Sequence, residues 1–334
     1  MLGRNIKLEN IMNDLKVGDG AKEQRPFEYL LKSAYVNDNS VHADAVKLKA
    51  PFPIDPEDEL RILLQSIGFL DLTSLSADDT YATISKLCCS AVKPVHDVKS
   101  LAGDENVEIR TASVCVYPNR IQDAAKAMSL YTSKPLPIAA VAGGFPSGQY
   151  PLLTRAAEVA WCVEHGASEI DIVVDRSLVL LRKWGELHKE VNTMVVAGKG
   201  AKIKVILAVG ECGSLENILR ASLVCMDAGA HFIKTSTGKE VVNATLPVGI
   251  VMCRAIKIFY SRTGKKVGFK PAGGIRTYQD VLEWVLLIKK ELGNDWLSPS
   301  LFRIGASSVL ASIVKRIAVL DNQIQESRKS ETTK

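Results

Sequence analysis

From residue 57 onward the chain repeats one rhythm, a short apolar run followed by a longer stretch whose apolar positions recur every three or four residues. The strand candidates are Ile67–Leu72, Ala112–Tyr117, Pro137–Ala142, Glu169–Val174, Ile203–Val209, His231–Ser236, Val267–Lys270 and Phe302–Gly305. Helical periodicity falls between them near 79–92, 120–130, 152–165, 185–199, 215–228, 246–262, 277–291 and 307–319. The runs are apolar on both faces, as expected of parallel strands covered by helices outside and packed side chains inside. Eight such units in order predict an α/β fold that closes on itself, a (β/α)8 (TIM) barrel of roughly 250 residues. The rival is an open doubly wound sheet, which wants a glycine fingerprint after its first strand. Phe69-Leu-Asp-Leu-Thr-Ser-Leu has no glycine there.

Boundaries follow from the same pattern. Residues 1–56 read as an N-terminal extension and linker, with one short amphipathic stretch (Phe27, Leu30, Leu31, Ala34, Tyr35) before the proline-rich Ala50–Pro56. The barrel occupies 57–320, and 321–334 reads as a flexible tail. Composition removes other classes. The longest apolar runs fall short of the 18 or so residues of a membrane span, and the N-terminus has no apolar leader core. Seven cysteines without a C-x-x-C pair suit buried small hydrophobes in a reducing compartment, and cytoplasmic location is the default. The five histidines lack ligand spacing, so no metal site is expected. The net charge of +5 is spread without a basic block, which argues against nucleic acid and fits an anionic small molecule.

In a barrel, chemistry gathers at the C-terminal ends of strands. That rule selects Asp71 and Thr73 after strand one, Cys115 on strand two, Asp171 on strand four, Lys234 on strand six and Lys270 on strand seven. Lysines 234 and 270 lie on neighbouring strands about 4.8 Å apart, so each is expected to lower the other's pKa, as is desolvation. The consequence is large. A lysine with pKa near 10.4 is only about 0.04% neutral at pH 7, and half neutral if the value falls to about 7. A neutral amine forms imines with carbonyls. Asp171, beside Lys270, supplies an acid–base group for the proton steps that imine chemistry needs. The alternative is that the lysines form ordinary ion pairs with Asp171 or a loop acid.

Anion binding is expected opposite these groups. Pro271-Ala-Gly273-Gly274 follows strand seven, and Gly305-Ala-Ser307-Ser308 follows strand eight and opens the last helix. Barrels commonly hold phosphate on these two loops. Thr235, Gly238 and Lys239 after strand six join the same pocket. Gly143-Gly144 after strand three is a weaker candidate.

The longer motifs are specific. Leu70-Asp-Leu-Thr-Ser-Leu, Val114-Cys-Val-Tyr-Pro, Glu169-Ile-Asp-Ile-Val, Phe232-Ile-Lys-Thr-Ser-Thr-Gly-Lys, Val267-Gly-Phe-Lys-Pro-Ala-Gly-Gly and Gly305-Ala-Ser-Ser together resemble the deoxyribose-phosphate aldolase family over roughly residues 60 to 318. The resemblance implies a metal-independent lyase that needs no cofactor. It would cleave 2-deoxy-D-ribose 5-phosphate reversibly to D-glyceraldehyde 3-phosphate and acetaldehyde in cytoplasmic deoxynucleoside catabolism. The Schiff-base lysine of the family falls on Lys234 and its proton-handling residues on Asp171 and Lys270. Its phosphate contacts fall on Gly273-Gly274 and the Gly305–Ser308 segment. Homodimers or larger homo-oligomers are implied, with neither nucleic acid nor membrane as partner. Two departures stand out: Val209 where relatives often carry threonine, and a tail without tyrosine. Another phosphate-binding barrel enzyme (an isomerase or transaldolase-like transferase) and a non-catalytic metabolite-binding descendant are the competing readings.

Overall fold

A computed structural model describes residues 27–32, 34–49, 54–95, 98 and 108–332. Eight strands form the sheet: β1 (Leu70–Thr73), β2 (Ser113–Val116), β3 (Ile138–Ala142), β4 (Glu169–Val173), β5 (Lys202–Ile206), β6 (Phe232–Lys234), β7 (Gly268–Lys270) and β8 (Ile304–Ala306). They run in the order β7-β6-β5-β4-β3-β2-β1-β8, and every neighbouring pair is parallel. Parallel bridges Phe269↔Phe302 and Ala272↔Gly305 join the two ends and close the barrel.

The helices that follow or precede these strands start where local chemistry starts them. We number them α1 (Phe27–Lys32), α2 (Asp38–Leu48), α3 (Pro56–Ile67), α4 (Tyr81–Val92), α5 (Ile121–Tyr131), α6 (Leu152–Glu164), α7 (Arg176–Leu180), α8 (Trp184–Ala197), α9 (Leu215–Asp227), α10 (Leu246–Thr263), α11 (Tyr278–Glu291) and α12 (Val309–Thr332). Thr80 and Thr277 close capping boxes on α4 and α11, satisfying amide donors that the first helical turn leaves free. The expected linker ends in a helix start. Asp55 caps α3, and Pro56 takes its first turn, where a fixed φ and a missing N–H cost nothing.

Two segments depart from the sequence expectation. The extension carries two helices within the described residues, and both are docked. Phe27, Leu30 and Leu31 of α1 are buried, and Arg220 on α9 donates to the carbonyls of Leu31 and Ala34. Asp44 of α2 takes an ion pair from Arg254 on α10 at 2.7 Å. Residues 1–26 and 50–53 lie outside the described residues. The flexible tail is corrected from residue 321 to 332, where α12 simply continues. Ile313, Ile317, Leu320 and Ile324 bury one face, and Arg328 reaches Glu57 at 3.0 Å. A helix anchored on one side needs few apolar residues, so its polar stretch looks like a tail.

Between strands and helices the core is mostly apolar, with the buried Arg155–Glu190 pair as an exception, whereas the barrel interior is charged. Asp71, Glu169, Asp171, Lys204, Lys234, Lys270 and Arg303 are all buried there, where barrels usually stack branched aliphatics. Among the described residues no group of three or more His, Cys, Asp or Glu side chains is placed to hold a metal ion, and no helix is long and apolar enough to cross a membrane. Burial pushes the thiols of Cys88, Cys162 and Cys212 up to about 11, 12 and 12, so these cysteines are small hydrophobes.

Candidate active site

Register decides which charges meet. Lys234 on β6 is the Cα partner of Lys270 on β7, and Asp171 on β4 is the partner of Lys204 on β5. In a closed barrel all four side chains point inward. Lys234 Nζ and Lys270 Nζ each donate to the same atom, Asp171 Oδ2, at 2.7 Å. The two nitrogens are therefore within twice that distance of each other. Lys204 Nζ takes the other oxygen, Asp171 Oδ1, at 3.0 Å.

The lysines differ in how many carboxylates they reach. Lys270 also lies 2.5 Å from Asp71 Oδ2, and Lys204 lies 3.2 Å from Asp71 and 2.6 Å from Glu169. Lys234 has Asp171 alone. Burial therefore holds the Lys234 ammonium below the ordinary lysine value; Lys270 adds to the effect, and Asp171 opposes it without overcoming it. Lys270 goes the other way. Burial alone would lower it, but Asp171 and Asp71 together raise it above the ordinary value. The expectation that each lysine depresses the other is thus corrected for Lys270, whose second carboxylate outweighs its cationic neighbours. Asp171 is itself held well below the carboxylate range, because Lys204, Lys234 and Lys270 outweigh its burial. It stands as a carboxylate, an acceptor of hydrogen bonds from the three ammonium groups.

Above this cluster opens a cavity of about 420 Å³ with Lys234 on its floor. Thr73, Gly238, Lys239, Gly273, Gly274, Ser307 and Ser308 line it, so the loops after β1, β6, β7 and β8 are brought together as expected. Gly273 and Gly274 sit at φ +81° and +83°, a left-handed pair that turns successive N–H groups toward one side. The serines precede α12, whose N-terminal amides carry partial positive charge. Arg276 joins the lining just after the twin glycines. Sequence reading passed over it, although a cation two residues past a phosphate-type loop is a signal in its own right.

Three expected residues lie behind the wall. Asp71 is completely buried among Lys204, Lys270, Arg303 and the Ser113 hydroxyl, which donates at 2.7 Å. Thr235 is buried too; its hydroxyl accepts from the Ala272 amide and donates to the Ala272 carbonyl, tying β6 to the glycine loop. Cys115 packs with Ala139 and Val141, and burial, with the nearby Asp171 carboxylate, pushes its thiol up. The Gly143-Gly144 turn is tied down by Arg155 and Glu158 and does not line this cavity. Val209 is buried, its amide bonded to the Thr235 carbonyl.

Sequence reading also missed Lys204, Arg303 and the part played by Glu169. Arg303 makes a two-pronged pair with Glu169 at 2.8 and 3.0 Å and reaches Asp71 at 2.5 Å. Lys204 interrupts an apolar strand, the same mark that singled out Lys234, while Glu169 opens β4 and Arg303 immediately precedes β8.

An amine held below its ordinary value can add to a carbonyl, and backbone amides at a glycine turn and a helix N-terminus can take an anion. A sequence profile of the DeoC/LacD family of aldolases matches residues 66–313. The chain is 49% identical over 288 residues to a mouse (Mus musculus) deoxyribose-phosphate aldolase, covering 86% of this chain and 90% of that one. It is 48% identical over 283 residues to the human (Homo sapiens) deoxyribose-phosphate aldolase, covering 84% and 89%. The crystal structure of an Aeropyrum pernix deoxyribose phosphate aldolase, described as tetrameric, superposes with a TM-score of 0.56 at 22% identity, covering 80% of this chain and 100% of that one. The chain has the barrel fold of that structure and belongs to the DeoC/LacD family of aldolases.

Proposed function

We propose that this aldolase reversibly cleaves 2-deoxy-D-ribose 5-phosphate to D-glyceraldehyde 3-phosphate and acetaldehyde through a Schiff base on Lys234. The observation that carries the reading is the asymmetry between the paired lysines: Lys234 has one shared carboxylate and faces the cavity, while Lys270 has two. The neutral Lys234 amine adds to the C1 carbonyl of the open-chain sugar, and the carbinolamine, protonated on its hydroxyl, loses water to give the protonated imine. Removal of the C3 hydroxyl proton lets the C2–C3 bond break. Its electron pair is taken up as an enamine, and glyceraldehyde 3-phosphate leaves. Protonation at C2 and hydrolysis then free acetaldehyde and return the amine. Asp171 and Lys270 are the groups within reach to hold these protons, the carboxylate accepting and the ammonium donating. The Gly273-Gly274 loop, Ser307, Ser308 and the amides leading into α12 would take the phosphate. Gly238, Lys239 and Thr73 line the same cavity, and the Lys239 ammonium donates to the Leu75 carbonyl in the loop after Thr73. Asp71, Thr235 and Cys115 would serve from behind, by holding Lys270, the glycine loop and the floor.

A product assay tests this reading. Release of acetaldehyde and triose phosphate from 2-deoxyribose 5-phosphate supports it, and rearrangement without carbon–carbon cleavage supports an isomerase instead. The same reading carries a cytoplasmic homo-oligomer.

Two further results are expected. A methyl group at position 273 would meet the Asn243 side chain at 2.5 Å and occupy a left-handed backbone. Gly273→Ala should therefore raise KM for the phosphorylated sugar about tenfold or more with kcat largely retained, a loss of about 1.4 kcal/mol in binding. Adduct formation with acetaldehyde, which has no phosphate, should be unchanged, and steady-state kinetics beside trapping rates check both. The second concerns pH. Because the Lys234 value is lowered, the reactive form is present below the range of an ordinary lysine and is lost as pH falls through the lowered value. The acid limb of kcat/KM should fall with unit slope there, below about pH 10.4. An acid limb at the ordinary lysine value would contradict this.

A further inference from the structure

Seven ionisable side chains from five strands and the entry to a sixth meet inside the barrel, and their charges can be counted. Three are carboxylates: Asp71 on β1, with Glu169 and Asp171 on β4. Three cations are each bound to two or more of these carboxylates: Lys204 on β5, Lys270 on β7, and Arg303 at the entry to β8. Those six balance. Lys234 is the fourth cation, and the one oxygen it reaches already accepts from Lys270. The other elements facing it add no charge. Cys115 on β2 is held neutral, Ser113 is a hydroxyl, and the inward residues of β3, Ala139 and Val141, are apolar. Lys202 lies 3.6 Å from Glu169, but its side chain is 35% exposed, where solvent screens it.

Glu169 and Arg303 do not line the cavity. They nevertheless belong to a network in a low-dielectric interior, where the net charge of the whole cluster acts on each member. We propose that the Glu169–Arg303 pair is a positioning element of catalysis: it completes the charge balance of the barrel interior, so that Lys234 is the amine left without a matching carboxylate. The proposal rests on the reading of Lys234 as the imine-forming residue.

The two partners then have opposite effects. Removing the carboxylate leaves a surplus of cations, and the Lys234 ammonium is disfavoured further. Removing the guanidinium leaves a surplus carboxylate, and Lys234 takes up a proton to match it. A pair that merely held the fold would impair the site in the same sense from either side. The test uses full-length protein with acetaldehyde and cyanoborohydride, reading the rate of adduct formation on Lys234 by mass spectrometry across pH, each variant relative to the unaltered protein. Glu169→Gln is expected to move the acid limb down by about one pH unit, and Arg303→Gln to move it up by about as much. Arg303→Lys, which keeps the charge, and the double variant Glu169→Gln/Arg303→Gln should both return it near the original position. Glu169→Gln keeps an oxygen for Arg303 and the same shape, so it carries the test alone if glutamine at 303 gives no folded protein. Limbs that move together, or a limb in Glu169→Gln that stays or rises, overturn the proposal. Absence of any Lys234 adduct in the unaltered protein is a separate outcome; it overturns the underlying reading and this proposal with it.

Discussion

Replacing Lys234 with leucine should lower turnover by about 10⁴-fold or more, equivalent to at least about 5.5 kcal/mol of transition-state stabilisation, and leave the barrel folded. The loss is large because no neighbour can substitute. Lys270 is raised above its ordinary value by two carboxylates, and Lys204 by three, so both are locked as ammonium groups. Neither offers a lone pair at neutral pH. The fold should survive because Lys234 is the cation in excess. Without it, Asp171 keeps Lys270 on one oxygen and Lys204 on the other. Urea denaturation beside the activity assay checks both parts. Unchanged or higher stability with abolished turnover is expected, and a variant that unfolds readily would contradict the assignment of Lys234 as the surplus charge.

Lys204→Met should do the reverse at the level of stability. Lys204 is completely buried and holds Asp71, Glu169 and Asp171 at once. Methionine fills similar space but takes away the ammonium that Glu169, Asp71 and one oxygen of Asp171 share. Breaking a buried ionic network in this way costs about 3–5 kcal/mol, out of a total of about 5–15 kcal/mol for a typical domain. The pH dependence has a definite sign. Asp71 and Asp171 are held below their ordinary values, chiefly because their cations outweigh the burial that opposes ionisation. Their contribution to stability is therefore complete above the unfolded value of about 3.9 and is lost as pH falls through the lower folded values. The variant has less of that contribution to lose, so its deficit should narrow in acid. Denaturation curves at pH 7 and in acid test this, and a deficit below about 1 kcal/mol at pH 7 would show that the network does not depend on Lys204.

Strand and helix positions in the barrel were legible because each unit is bounded by turns and buried on both faces. Glu169–Val174, for example, anticipates the observed Glu169–Val173. Lys234, Asp171 and Lys270 stood out as polar residues interrupting apolar strands, and register brings them to one point. Lys204 carries the same mark within Ile203–Val209, and Arg303 within Phe302–Gly305, but both sit lower on their strands than the rule about C-terminal ends looks. Their role depends on which strands face each other across the barrel, which no local pattern encodes. The rise of Lys270 was missed for the same reason: Asp71 was expected at the ligand, whereas it points inward to a cation. The helix beyond residue 320 was hidden because a solvent-facing helix anchored by Ile324 and Arg328 has the composition of a tail.

The most direct test of the account is the position of a single covalent bond. The full-length protein is incubated with acetaldehyde at neutral pH, reduced with borohydride, digested, and its lysine peptides are mapped by mass spectrometry. An ethyl group on Lys234, with Lys204 and Lys270 unmodified, is the expected result. An adduct on Lys270, or on neither residue while the enzyme turns over, would contradict a neutral amine at position 234.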